Sequence, residues 1–183
     1  MIDVIRRLIL VLIAAVGLSA CGTQTGPEAA VVVGDVAVSR EDIVGYAVAQ
    51  GQLQGAPAEL FAVDGGVASG DLVRFGAGES ALLLAYQQAF EEAGAELDAA
   101  AELEAEQQLK LALDQVGLVG VTPESPGYDL MVLRVWISGL VVADEALTAE
   151  VLQSEVFADL ISGVEIESRI GEWDPETGQV FAP

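Results

Sequence analysis

Histidine is missing from this 183-residue chain. That absence excludes every Ser-His or Cys-His nucleophilic mechanism, any histidine general base, and histidine-ligated zinc, copper and iron sites. Cysteine occurs once, at Cys21, so the chain has no internal disulfide and packing alone must hold the fold. Positive charge is equally scarce. Lysine occurs once, at Lys110, and seven basic residues stand against 29 acidic ones, for a formal net charge of −22. Such a chain repels phosphate backbones and anionic headgroups, so nucleic acid is not an expected partner. Aromatics are few as well. Five Phe, three Tyr and two Trp supply no aromatic-rich platform for a sugar. Glycosidases work with two carboxylates and no histidine, but with 29 acids some pair always lies close, so proximity carries no weight. The chain is therefore read as a non-enzyme with no cofactor and no expected metal.

What is present is enough for a core: 52% of the residues are apolar, unlike a disordered acidic tail. The N-terminal segment sets Arg6 and Arg7 before an apolar run from Leu8 to Gly17, then small residues. That order is the pattern of a secretory signal peptide, and the run is about half of the ~20 residues a helix needs to cross a bilayer. Leu18-Ser19-Ala20-Cys21 resembles the bacterial lipoprotein lipobox. The resemblance implies cleavage before Cys21 and a diacylglyceryl thioether on its sulfur. It also implies an address on the outer face of the cytoplasmic membrane. A plain signal peptide with a chance cysteine, or a short membrane anchor, is the alternative. Without residues 1–20, 163 residues remain, with five basic and 28 acidic side chains, a formal charge of −23. Residues 21–30 then read as a short tether, and 31–183 as one domain.

Valine runs flank Gly34-Asp35, which predicts a hairpin over Val31–Val38. Ser39 with Asp42 three residues on is a capping box that should start a helix carrying Ile43, Val44, Ala47 and Val48. Residues 51–78 hold seven glycines and Pro57 and read as a loop, with short helical turns around Ala58–Val63. No phosphate-binding motif and no lysine falls there. A helix is predicted over Glu79–Ala93 with a stripe of Leu82, Tyr86, Ala89, Phe90 and Ala93, ended by Gly94. A second runs from Asp98 to Val116, with Ala105, Leu109, Ala112, Leu113 and Val116 on one face. Its Glu102, Glu104 and Glu106 lie elsewhere, as a solvated face rather than a calcium loop.

Gly117–Gly127, with two prolines, is a break. Leu130–Val142 is the most apolar stretch of the remaining chain. It is too short for a membrane span and contains Arg134, so a buried helix is expected, or a strand. From Asp144 or Thr148 a further helix should reach Ile161, facing inward through Leu147, Val151, Ala158 and Ile161. Val164–Glu167 alternates as a short strand. Lacking a local partner, it should pair with the N-terminal hairpin. The fold class is therefore mainly α with a small β element: four to five helices closed by an N-terminal hairpin pairing with a C-terminal strand.

Ala30-Val-Val-Val-Gly-Asp-Val-Ala-Val-Ser-Arg-Glu-Asp-Ile43 resembles the opening of SurA-type chaperone domains, Ala-x-Val-Asn-Gly-Glu-x-Ile-Thr-x-x-Glu-Leu, with Val33 in place of asparagine. Val164–Asp174 is similar to the closing segment of small actinobacterial lipoproteins with that domain. Arg169, Gly171, Trp173 and Asp174 match, whereas Ser168 and Ile170 depart. The resemblance implies a SurA N-domain-like fold that holds unfolded secreted proteins on shallow apolar surface. There is no room for a parvulin isomerase domain, and the histidines typical of its site are absent. The expected function is thus a membrane-anchored holdase for unfolded or envelope proteins. The alternative is a non-catalytic interaction module or scaffold subunit of an envelope complex. Tyr86, Phe90, Met131 and Trp136 are the candidate lining of a client groove, although core packing suits each of them better.

Overall fold

A computed structural model describes residues 29–56, 68–118 and 120–183. Among them the chain is mainly helical, with six helices and a small antiparallel sheet. The lipobox, Cys21 and the tether through Glu28 lie outside the described residues, as do the helical turns expected around Ala58–Val63.

The hairpin forms as the sequence predicts. Strands β1 (Ala29–Val33) and β2 (Val36–Ser39) pair antiparallel around Gly34-Asp35. Gly34 has φ +59° and Asp35 does not have a positive φ, the pattern of a type II′ turn with glycine at its first central position. β1 begins two residues earlier than expected, inside the segment read as tether, because Ala29 pairs with Ser39. Val31 and Val33 are fully buried, each contributing about 1.5–3 kcal/mol of hydrophobic stabilisation. The late strand β3 (Glu165–Ile166) closes the domain on the free side of β1, giving the order β2-β1-β3.

Ser39 caps α1 (Arg40–Leu53), its hydroxyl accepting from the Asp42 N–H at 3.1 Å. The inward face of α1 is Ile43, Tyr46 and Ala47, with Val44 and Val48 only half-buried. The helix α2 (Gly70–Glu92) corrects the reading of 51–78 as a loop. Gly51 belongs to α1, and Gly70, Gly76 and Gly78 belong to α2, which starts at the cap Ser69 rather than at Glu79. Glycine is there for proximity. A Cβ on Gly76 would stand 2.6 Å from the Ile43 carbonyl oxygen of α1, so a side chain would force the two helices apart. α2 is the centre of the domain, packing against α1, β1, the C-terminal strand Gln179–Phe181 and three later helices. It is accordingly buried well beyond one stripe, from Val73 through Ala77, Ala81, Leu84 and Ala85 to Phe90.

α3 (Ala99–Val116) runs from the Asp98 cap to Gly117, which takes a left-handed φ. Ala105, Leu109 and Leu113 are buried, Val116 is exposed, and Glu102 and Glu104 point to solvent. The apolar stretch after the proline break is helical: α4 (Tyr128–Ala143) buries Leu130, Met131, Val132, Leu133, Trp136 and Ile137. None of the described helices is long and apolar enough to cross a membrane.

The single helix expected up to Ile161 is two, α5 (Glu145–Leu152) and α6 (Glu155–Ser162). Ser154 makes the break. Its hydroxyl donates to the Val151 carbonyl at 2.8 Å and accepts from the Phe157 N–H at 3.0 Å, so one side chain ends α5 and caps α6. The bend also moves the inner face. Leu147, Val151 and Ile161 face inward as expected, whereas Ala158 is exposed and Phe157 and Leu160 pack against the core in its place.

The Glu176-Thr177-Gly178 turn of the tail joins two strands that the sequence does not announce, β4 (Glu172–Asp174) and β5 (Gln179–Phe181). Trp173 Nε1 donates to the Ile161 carbonyl at 2.8 Å and ties this hairpin to the end of α6. Asp174 accepts from Glu176 N–H and Thr177 Oγ1, which hold its carboxyl below the usual range.

Candidate functional site

The four side chains proposed for a client groove do not form one. Phe90, Met131 and Trp136 are 0%, 2% and 8% exposed and fill the core. Phe90 meets Trp136 edge-on at a centroid distance of 6.2 Å. Tyr86 is half-buried, 4.8 Å from the Phe157 ring, and burial raises its phenol pKa. The physical reason is position. Tyr86 and Phe90 lie on the central helix and Met131 and Trp136 on the apolar α4, whose faces meet each other before they meet solvent.

The concavity lies elsewhere, as a cleft of about 590 Å³. One wall is β2, all four residues of which, Val36–Ser39, line it. The floor is apolar and helical: Leu84 from α2, and Leu130 and Leu133 from α4, each nearly fully buried, with half-buried Leu97 beside them. The far side is α3, through Glu102 and Glu106, and the turn from Pro123 to Gly127. The volume falls within the ~300–1,000 Å³ range of ligand sites, while acidic and apolar residues share the lining. A shallower hollow of about 490 Å³ abuts it beyond Tyr128 and Pro123.

The cleft is sharply one-signed. Glu41, Asp42, Glu102, Glu106, Glu124 and Asp129 line it, and no lysine or arginine among the described residues does. Burial, then the charges of Asp42 and Glu106, push the Asp129 carboxyl upward. The Tyr128 phenol rises from burial and from Glu106 and Asp129. The site therefore holds negative charge that its own residues do not neutralise.

Its frame is rigid at one end. Asp42 accepts from Ser39 Oγ at 2.6 Å and from the Gly127 N–H at 3.1 Å, so one carboxylate joins the end of β2 to the start of α4. Gly127 has φ +75°, and a Cβ there would overlap Tyr46 N and Asp42 O and stand 2.8 Å from Tyr46 Cα. Only glycine fits. Behind it, Arg134 Nη1 donates to the buried Tyr46 hydroxyl at 2.8 Å and pairs with Glu79, linking α1, α2 and α4. Burial first, and the Glu79 charge with it, raise the Tyr46 pKa to about 12 against the opposing pull of Arg134. Arg134, puzzling in so apolar a stretch, is thus placed by a structural triad.

No group of three His, Cys, Asp or Glu side chains among the described residues is placed to hold a metal ion. Sequence reasoning marked none of the cleft residues as a site. The only signals were the alternation Val36-Ala37-Val38 and the prolines at 123 and 126, which read as hairpin and break. No family model, curated protein or solved structure matches the chain.

Proposed function

We propose that this chain is a lipid-anchored, chaperone-like binding protein of the cell envelope. Cys21 carries the anchor and the SurA N-domain-like helical domain holds unfolded secreted proteins without isomerase or other catalytic activity. The observation that carries the reading is the open cleft along β2, where half-buried Val36, Val38 and Leu97 stand over the core leucines Leu84, Leu130 and Leu133 and no lysine or arginine among the described residues lines it. Such a surface takes apolar segments of many sequences, and the acidic exterior keeps a loaded complex dispersed. The lipobox and the hairpin and tail motifs support the same reading through their resemblance to lipoproteins and SurA-type domains. An anchor at Cys21 would stand eight residues before β1. At ~3.3–3.6 Å per extended residue that keeps the domain within roughly 30 Å of the bilayer, where secreted chains emerge.

The test follows light scattering of a refolding, aggregation-prone client with residues 22–183 at rising molar ratios. An inert protein of equal acidity serves as control. Suppression near stoichiometry, beyond the control, supports the holdase. Its absence removes general chaperoning and leaves an interaction module for one envelope partner, to be sought by cross-linking at the cell surface.

A further inference from the structure

β2 presents its edge, not its face, to the cleft. Successive strand side chains point to opposite faces, yet Val36, Ala37, Val38 and Ser39 all line the same cavity. The sheet order leaves that edge unpaired among the described residues. The two-residue turn makes Val33 and Val36 the hydrogen-bonded pair that closes the hairpin, with Val32 opposite Ala37 as the next, non-bonded pair. The N–H and C=O of Ala37 therefore point away from β1, into the cleft. An open edge with free backbone groups is a template for another strand.

We propose that the cleft binds an extended, cationic peptide segment as an added strand on β2. Ala37 supplies the two backbone hydrogen bonds. Alternate side chains of the segment descend onto Leu84, Leu97 and Leu133. The intervening side chains rise towards Glu102, Glu106 and Asp129, which select lysine or arginine. Four residues at ~3.3 Å each make a site about 13 Å long, enough for four or five residues of the segment. Charge also decides among occupants. A second copy docking edge to edge would bring these carboxylates against themselves, and an acidic or phosphorylated segment would meet the same repulsion. The proposal rests on the cleft being the client site of the domain.

The experiment measures fluorescence anisotropy of a labelled decapeptide of alternating lysine and valine, titrated with the full chain in non-ionic micelles. Four further arms are compared: the glutamate-valine counterpart, the lysine-valine peptide N-methylated at its valines, the same peptide N-methylated at its lysines, and the lysine-valine peptide with the Ala37→Pro variant. The cationic peptide should bind, weakening as salt rises, and the glutamate peptide should not. Losing a backbone bond should cost about tenfold in affinity, whether by N-methylation in the register that faces β2 or by Ala37→Pro. N-methylation leaves the protein untouched, so its result stands even where the proline variant misfolds. Equal affinity of the methylated peptides in both registers, equal affinity of the glutamate peptide, or no binding of the cationic one each overturns the proposal. Aggregation suppression that persists while the cationic peptide fails to bind leaves the chaperone reading intact and removes strand addition alone. Loss of both removes the two together.

Discussion

At the junction of α1, α2 and α4 the backbones meet with no room for a single added carbon at Gly76 or Gly127. Beside that junction, between β2 and α3 and bounded by Gly127 itself, the same domain leaves a cleft of about 590 Å³. The junction neutralises its charge internally, through Arg134, Glu79 and the Tyr46 hydroxyl. The cleft gathers six acidic residues and neutralises none with a lysine or arginine among the described residues. The contrast teaches where this chain places stability and where it leaves charge uncompensated: closed, internally neutralised packing at the junction, open acidic surface beside it. Asp42 belongs to both, tying Gly127 to the start of α1 while lining the cleft.

The largest effect should come from the closed side. Gly127→Ala combines a strained positive φ with overlap on α1 and should cost about 3 kcal/mol or more. Urea midpoints would measure it, and an unchanged midpoint would break the comparison at its root. Tyr46→Phe removes the hydroxyl that joins Arg134 to Glu79 and should cost about 1–2 kcal/mol at neutral pH. It also has an alkaline signature. Tyr46 is raised by burial from 10.0 to about 12 in the folded chain. The unfolded chain thus releases this proton first, and the associated stability is present below pH 10 and lost as pH rises to about 12. The phenylalanine variant should lose less stability over that window, read from urea midpoints at each pH.

Ser39→Ala removes the cap of α1 and should cost about 1 kcal/mol, again by urea midpoint. On the open side the sign should reverse. Glu106 is one of the charges that raise the Asp129 carboxyl, behind burial itself. A raised carboxyl pKa means that this group favours the fold when protonated. Its contribution is complete below the unfolded pKa and lost as pH rises through the folded one, so it weighs against folding at neutral pH. Asp129 is an exposed residue, and solvent screening keeps the effect small. Glu106→Gln should therefore raise stability at neutral pH by about 0.3 kcal/mol while weakening capture of the cationic peptide. A loss of stability would show that the cleft carboxylates are compensated after all. Away from both regions, Leu111→Lys on the 62% exposed outer face of α3 should leave the urea midpoint within about 0.5 kcal/mol of the parent.

Elements specified by neighbours in sequence were legible. Gly34-Asp35 between valines marked the hairpin, Ser39 the start of α1, and Asp98 and Gly117 the two ends of α3. Where a residue's reason lay across the fold, local reading failed. Gly70, Gly76 and Gly78 looked like a loop because glycine weakens an isolated helix, but at Gly76 the demand for contact with Ile43 prevails. Ser154 was passed over because the apolar residues on either side keep helical spacing through the bend it makes. The β4–β5 hairpin depends on Trp173 reaching Ile161, a contact that no window of sequence displays.

The candidate site divides the same way. By itself the sequence determined the mainly helical class, the acidic surface, the absence of histidine chemistry and a core rich in Phe90, Met131 and Trp136. These follow from composition and periodicity, which act residue by residue along the chain. The tertiary structure alone decided that the accessible cleft runs along β2. A cleft is bounded by elements distant in sequence, here β2, α2, α3 and α4. Which strand is left at the edge of a sheet is set by the closing partner: β3 takes the free side of β1, and among the described residues β2 is left open.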